Sequence, residues 1–182
     1  MIHAEPTNIQ GVIVIKPDVF KDERGFFSET YSREKYISLG VNEEFVQDNH
    51  SQSKKNTLRG LHYQSQKSQG KLVRVVRGEV FDVAVDVRKD SSTFGKYFSI
   101  LLNQTNHYQL YMPPGIAHGF YVTSEYANFE YKCTDYYSPE NEKGVIWNDP
   151  DINIDWPSSK PIISQKDSIY MRLKDIPPED LL

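Results

Sequence analysis

Lys71-Leu72-Val73-Arg74-Val75-Val76-Arg77-Gly78-Glu79-Val80-Phe81-Asp82-Val83-Ala84-Val85-Asp86-Val87 decides the fold class. β-Branched residues dominate it, and such side chains fit a pleated, half-buried surface. From Val80 the alternation is strict. Val80, Asp82, Ala84 and Asp86 face one way; Phe81, Val83, Val85 and Val87 face the other. The stretch therefore reads as two strands, with Gly78 placed for a tight hairpin turn between them.

The same signal recurs on both sides. Val12–Ile15 is a short apolar run ended by Lys16-Pro17, and Gly25–Tyr31 mixes aromatic with polar residues. Tyr97–Leu102, Gln109–Met112, Gly119–Val122 and Asn128–Cys133 are further strand candidates. Short strands separated by turn signals point to an all-β sandwich or barrel. Helical periodicity is confined to Ser32–Leu39, with Ser32 as the predicted cap and Gly40 as the predicted stop. Pro139, Pro150, Pro157, Pro161, Pro177 and Pro178 break the last third into loops and short pieces expected to wrap the barrel. No repeat or Gly/Ser-rich linker divides the chain, so residues 1–182 are expected to form one domain.

Composition narrows the function. The net charge of −4 disfavours a general nucleic-acid binder but leaves nucleotides open. With Cys133 as the one cysteine, neither an intrachain disulfide nor a thiolate metal cluster can form within a chain. Met1–Gln10 carries no apolar core of a signal peptide, and no apolar run is long enough to span a bilayer, so a soluble cytoplasmic protein is expected. No dinucleotide-binding glycine fingerprint, P-loop or nucleophile elbow occurs.

Four segments carry residues with chemical potential. Leu58-Arg59-Gly60-Leu61-His62-Tyr63-Gln64 sets Arg59 beside His62, the usual general base near neutral pH. In a regular strand residues 58, 60 and 62 share one face and 59 the other, unless Gly60 bulges. Gln69-Gly70-Lys71-Leu72-Val73-Arg74 places a lysine on an apolar strand, where it would hold an oxyanion or a phosphate. Pro113-Pro114-Gly115-Ile116-Ala117-His118 aims a second histidine from a tight turn. In Tyr131–Glu140, Tyr131 and Tyr137 offer a proton donor and a stacking surface. Taken singly, the first two segments and each tyrosine are better read as structure: a half-buried histidine, an exposed strand face, barrel packing.

Together, in order and spacing, these segments resemble the dTDP-4-dehydrorhamnose 3,5-epimerase family. The likeness also runs through Asp22-Glu23-Arg24-Gly25-Phe26-Phe27-Ser28-Glu29, Phe45-Val46-Gln47-Asp48-Asn49, Gly78–Asp86, Asp149-Pro150 and Asp155-Trp156-Pro157. It implies a cupin-type jelly-roll β-barrel with short peripheral helices and an irregular C-terminal segment. The implied substrate is dTDP-4-dehydro-6-deoxy-D-glucose, epimerised at C3 and C5, both α to the C4 ketone, with no cofactor. By this resemblance His62 is the base, Asp167 its carboxylate partner, Tyr131 the proton donor on the other face and Lys71 the cation at the developing oxyanion. Arg59 and Lys166 match residues near the diphosphate. Gln47, Asn49, His118 and Glu142 match other ligand-binding positions, and Tyr137 the residue that stacks on thymine. Arg24 and Glu29 match residues supplied by the neighbouring subunit of a homodimer with exchanged N-terminal strands.

Metal-holding cupins typically offer His-x-His, a glutamate and a further histidine. This chain has no His-x-His, and no metal is expected. The family often reads Ser-Glu-Lys-Asp where this chain has Ser164-Gln165-Lys166-Asp167; the dyad carboxylate is kept. The competing readings are a relative acting at C3 or C5 alone or on another nucleotide-linked sugar, a cupin that binds without catalysis, and a metal-dependent cupin enzyme.

Overall fold

The computed structural model describes residues 2–182; Met1, where the reading of the N-terminus begins, lies outside the described residues. Strands β1 (His3–Pro6) and β2 (Ile13–Lys16) come first, then a hairpin of β3 (Phe20–Asp22) and β4 (Gly25–Phe27). Helix α1 (Arg33–Ser38) leads into β5 (Gln47–Lys54), β6 (Leu58–Gln64), β7 (Lys71–Arg77) and β8 (Glu79–Asp86). Strands β9 (Tyr97–Asn103), β10 (Gln109–Met112), β11 (Ile116–Val122) and β12 (Tyr126–Cys133) follow, then the short β13 (Glu142–Gly144) and helix α2 (Gln165–Ser168).

The strands form two sheets. One has six strands in the order β1-β2-β10-β7-β12-β5, the other five in the order β13-β6-β11-β8-β9. The β3–β4 hairpin joins neither. Sheet pairings are antiparallel, as in a jelly roll, and the expected cupin-type architecture is the one observed.

The deciding stretch forms both predicted strands, but Gly78 is not a hairpin turn. Strand β7 pairs with β10 and β12, whereas β8 pairs with β11 and β9 in the opposite sheet. The physical reason lies in the side chains. Val73 and Val75 of β7 and Val80 and Ala84 of β8 enter one shared core from opposite sheets, so the two strands belong to facing layers instead of lying side by side. Gly78 is where the chain crosses over. Its φ of +83° suits glycine, and a Cβ there would lie 2.1 Å from the Tyr126 carbonyl oxygen.

Both faces of β8 are buried, on different partners. Its second face, Val83 and Val85, packs with Leu61, Tyr63, Val145, Ile152, Leu173 and Ile176. The proline-broken C-terminal segment thus covers the outside of the five-stranded sheet, as predicted. On the outside of the six-stranded sheet, Leu72, Ile15 and Tyr111 pack with Tyr36 of α1. Each such side chain, fully buried, contributes on the order of 1.5–3 kcal/mol.

Two local expectations change. Ser32 precedes α1, yet its side chain makes no capping bond; Gly40, at φ +96°, ends the helix as predicted. Only Gly25–Phe27 of the Gly25–Tyr31 run is strand. Strand β5 carries almost no apolar residues, so alternation could not mark it; it forms because β12 pairs with it along its whole length. No helix of the described residues is long and apolar enough to cross a membrane.

Gly78→Ala forces a side chain into the Tyr126 carbonyl at positive φ. We expect a loss of at least about 1–3 kcal/mol in stability, read from the urea midpoint at unchanged slope.

Candidate active site

Two inner sheet faces converge on one cavity. On the six-stranded sheet Gln47, Cys133 and Lys71 are Cα partners in one row, and Asn49, Tyr131 and Val73 in the next. Val73 belongs to the central core, so alternation turns these rows inward.

The five-stranded sheet contributes Arg59 and His62 through a bulge. His118 of β11 pairs with His62, but Phe120, two residues on, pairs with Arg59, three residues back. The extra residue puts both on the inward face that His118 and Phe120 share. Gly60 makes this possible. It sits at φ +119°, and a Cβ there would come within 2.5 Å of Gly119 Cα; the Gly60–Leu61 peptide is cis.

His62 Nε2 lies 2.7 Å from Asp167 Oδ1. Asp167 is buried, with its backbone N–H donating to Ser164 Oγ at 3.0 Å, which fixes the start of α2. Burial works to raise the Asp167 pKa, but the His62 contact, the Gly60 N–H and Ser164 outweigh it and hold the carboxyl below its usual value. An ionised carboxylate only accepts, so His62 Nε2 carries a proton, and in the neutral ring Nδ1 is the nitrogen with the free lone pair. That nitrogen is 4.0 Å from Glu142 Oε1. Glu142 in turn accepts from Lys166 Nζ at 2.7 Å and from the Tyr137 hydroxyl at 2.5 Å. Tyr137 is exposed, and its bond to the Glu142 carboxylate pushes its pKa up to about 12.

Across the cavity Lys71 is buried, with its ammonium donating to the His62 carbonyl at 3.3 Å. Burial lowers its pKa, opposed by Cys133, Glu142 and Asp82. Burial likewise raises that of Tyr131, so the phenol keeps its proton at neutral pH. The Cys133 thiol is raised to about 11 by burial and accepts from Asn49 Nδ2 at 3.6 Å, which makes it a wall and not a nucleophile.

The remaining expected residues fall into two groups. Arg59 Nε donates to Ser53 Oγ at 2.9 Å, and Gln47 Nε2 donates to Asn49 Oδ1 at 3.1 Å while Gln47 Oε1 accepts from the Tyr137 N–H at 2.9 Å. These belong to the cavity wall. Arg24 and Glu29 lie instead on the N-terminal segment: Arg24 pairs with Asp22 on the exposed β3–β4 hairpin, and Glu29 with Lys35 of α1. The Gln165 departure from the family pattern is exposed beside the buried Asp167.

Two residues escaped the sequence reading. Asp82, fully buried, shares a hydrogen bond of 3.0 Å with His118 Nε2, while the His118 ring stacks on Phe129 with centroids 5.8 Å apart. An aspartate inside the apolar alternation of β8 was the available signal. Tyr170 packs edge-on to His62 at 5.8 Å between centroids, and no periodicity announces it.

Known proteins place this arrangement in a family. The model of the dTDP-4-dehydrorhamnose 3,5-epimerase family matches residues 6–175. An enzyme of that name from Salmonella typhimurium is 54% identical over 165 residues, covering 89% of this chain and 90% of its own. One from Methanothermobacter thermautotrophicus is 47% identical, covering 94% of each. The crystal structure of dTDP-6-deoxy-D-glucose-3,5-epimerase from Legionella pneumophila Philadelphia 1, in complex with dTDP-4-keto-L-rhamnose, superposes with a TM-score of 0.96. It is 48% identical and covers all of this chain and 97% of that one. The match across residues 6–175 and relatives about half identical over most of both chains show that this chain belongs to the dTDP-4-dehydrorhamnose 3,5-epimerase family.

Proposed function

We propose that the chain is a dTDP-4-dehydrorhamnose 3,5-epimerase. It takes dTDP-4-dehydro-6-deoxy-D-glucose to dTDP-4-dehydro-L-rhamnose, in the synthesis of dTDP-L-rhamnose, with no cofactor. The observation that carries this reading is the carboxylate-held imidazole on one sheet, with a protonated phenol and a buried lysine on the facing sheet.

The chemistry follows from the substrate. Protons at C3 and C5 are acidic because the electron pair left behind delocalises onto the C4 oxygen. His62 Nδ1 takes the proton from carbon, and Asp167 orients the ring and stabilises the imidazolium. Lys71 donates to the oxygen where negative charge develops, in a water-poor site where such a bond is strong. Tyr131 returns a proton to the same carbon from the opposite face, and solvent restores both groups. Inversion at the second carbon repeats the cycle.

Arg59 and Lys166 hold the diphosphate, where a guanidinium fork matches phosphate oxygens. Tyr137, exposed at the rim, stacks on thymine. Gln47, Asn49, His118 and Glu142 complete the binding wall.

The working unit is a homodimer. Within one chain β1 pairs with β2, and β2 with β10, so we assign the exchanged segment to the β3–β4 hairpin, which joins neither sheet. Phe20, Phe26 and Phe27 are 62%, 61% and 70% exposed there, an apolar surface that asks for a partner. Arg24 on this hairpin and the nearby Glu29 then reach the neighbour's cavity.

Proton NMR of the substrate with the protein in D₂O tests the reaction: both the C3 and C5 signals disappear. His62→Ala slows this exchange about 10²–10⁴-fold. Tyr131→Phe impairs net inversion more than proton removal; an equal fall in both contradicts the donor role. Light scattering behind size exclusion should give the mass of a dimer. Phe27→Asp should shift it to monomer and lower kcat/KM, and a monomeric wild type contradicts the shared site.

A further inference from the structure

Gly144 and His62 are Cα partners across β13 and β6, so whatever covers Gly144 lies beside the imidazole. A Cβ on Gly144 would lie 2.4 Å from Cε2 of Tyr170 and 2.5 Å from its Cδ2 and Cζ. The glycine is therefore the seat of the Tyr170 ring. From that seat the ring meets His62 edge-on, at 71° between planes and 5.8 Å between centroids. The segment that carries Tyr170 is pinned at both ends. Ser164 Oγ accepts from the Asp167 N–H, and the Met171 carbonyl accepts from the Ile146 N–H at 2.9 Å. Asp167 and Tyr170 thus reach the imidazole on one short, anchored piece of chain.

We propose that Tyr170 is a positioning residue: its ring fixes the His62 imidazole against rotation. The argument is geometric and rests on the reading of His62 as base. A single hydrogen bond at Nε2 restrains one point of the ring and leaves its tilt loose. An aromatic wall seated on backbone removes that freedom, because the wall cannot itself withdraw. The ring, and not the hydroxyl, does this. Burial first, then the Glu142 and Asp167 carboxylates, hold the phenol above its ordinary pKa, so it stays neutral.

The test compares kcat, KM and C3/C5 exchange in D₂O for wild type, Tyr170→Phe, Tyr170→Ala, Gly144→Ala and the Tyr170→Ala/Gly144→Ala double variant. Tyr170→Phe stays within about two-fold of wild type. Tyr170→Ala loses about ten-fold or more in kcat with KM within about three-fold, the size expected of a misaligned base. Gly144→Ala, which evicts the ring, loses a similar factor. The double variant is no slower than Tyr170→Ala, since the added methyl then has room. An exchanging wild type with a Tyr170→Ala variant within about two-fold in kcat overturns the proposal alone. So does a Tyr170→Phe variant as slow as Tyr170→Ala, which would assign the effect to the hydroxyl. A wild type that exchanges neither proton overturns the epimerase reading and this proposal with it.

Discussion

The hydrogen bond between His62 and Asp167 joins residues 105 positions apart and ties the irregular C-terminal segment to the barrel. Much of the site geometry answers to it. Gly60 bulges β6 so that the imidazole faces inward beside Arg59, and donates its own N–H to Asp167 Oδ2 at 3.4 Å. Ser164 caps the two-turn-or-less α2 so that the carboxylate points back at the sheet. Gly144 yields the space that Tyr170 fills. A contact of such sequence separation carries the entropy cost of closing a long loop, which the packing of both sheets must offset.

The cavity stores unfavourable electrostatics that a purely structural barrel would avoid. Lys71 is buried with a carbonyl, not a carboxylate, as its acceptor. Asp82 is buried against His118, whose own charge depends on its protonation. Removing such groups from water is costly, and hydrophobic replacements would serve stability better. A buried lysine whose pKa is lowered by burial, set near carboxylates, marks a candidate functional site. Among the described residues the Lys71 ammonium donates to the His62 carbonyl, which leaves it donors for a further oxygen.

The fold class was legible because β-branched alternation marks a strand wherever a face is buried; Val80–Val87 showed both of its faces this way. Strand partners were not legible. Gly78 offers the same signal to a hairpin as to a crossover, and only the shared core that the two strands enter from opposite sheets decides between them. The polar β5 was invisible since its pairing comes from β12. In the candidate site, His62, Lys71, Tyr131 and Asp167 were named through family resemblance, each ambiguous on its own segment. Alternation alone sets Arg59 and His62 on opposite faces; the Gly60 bulge, raised as an exception, brings them together. Asp82 had a readable signal, a charge in an apolar strand, and was passed over. Tyr170 had none, because its place is set by a turn in the C-terminal segment and by the absence of a side chain on Gly144.

The tautomer of His62 is the observation on which this account stands or falls. Long-range ¹H–¹⁵N NMR of histidine-labelled protein at neutral pH reads it without substrate. If Asp167 holds the imidazole as described, the neutral ring carries its proton on Nε2 and leaves Nδ1 bare toward Glu142, and Asp167→Ala frees the ring to populate both tautomers. A proton found on Nδ1 in the wild type, or a tautomer unaltered by Asp167→Ala, would contradict the carboxylate-held base.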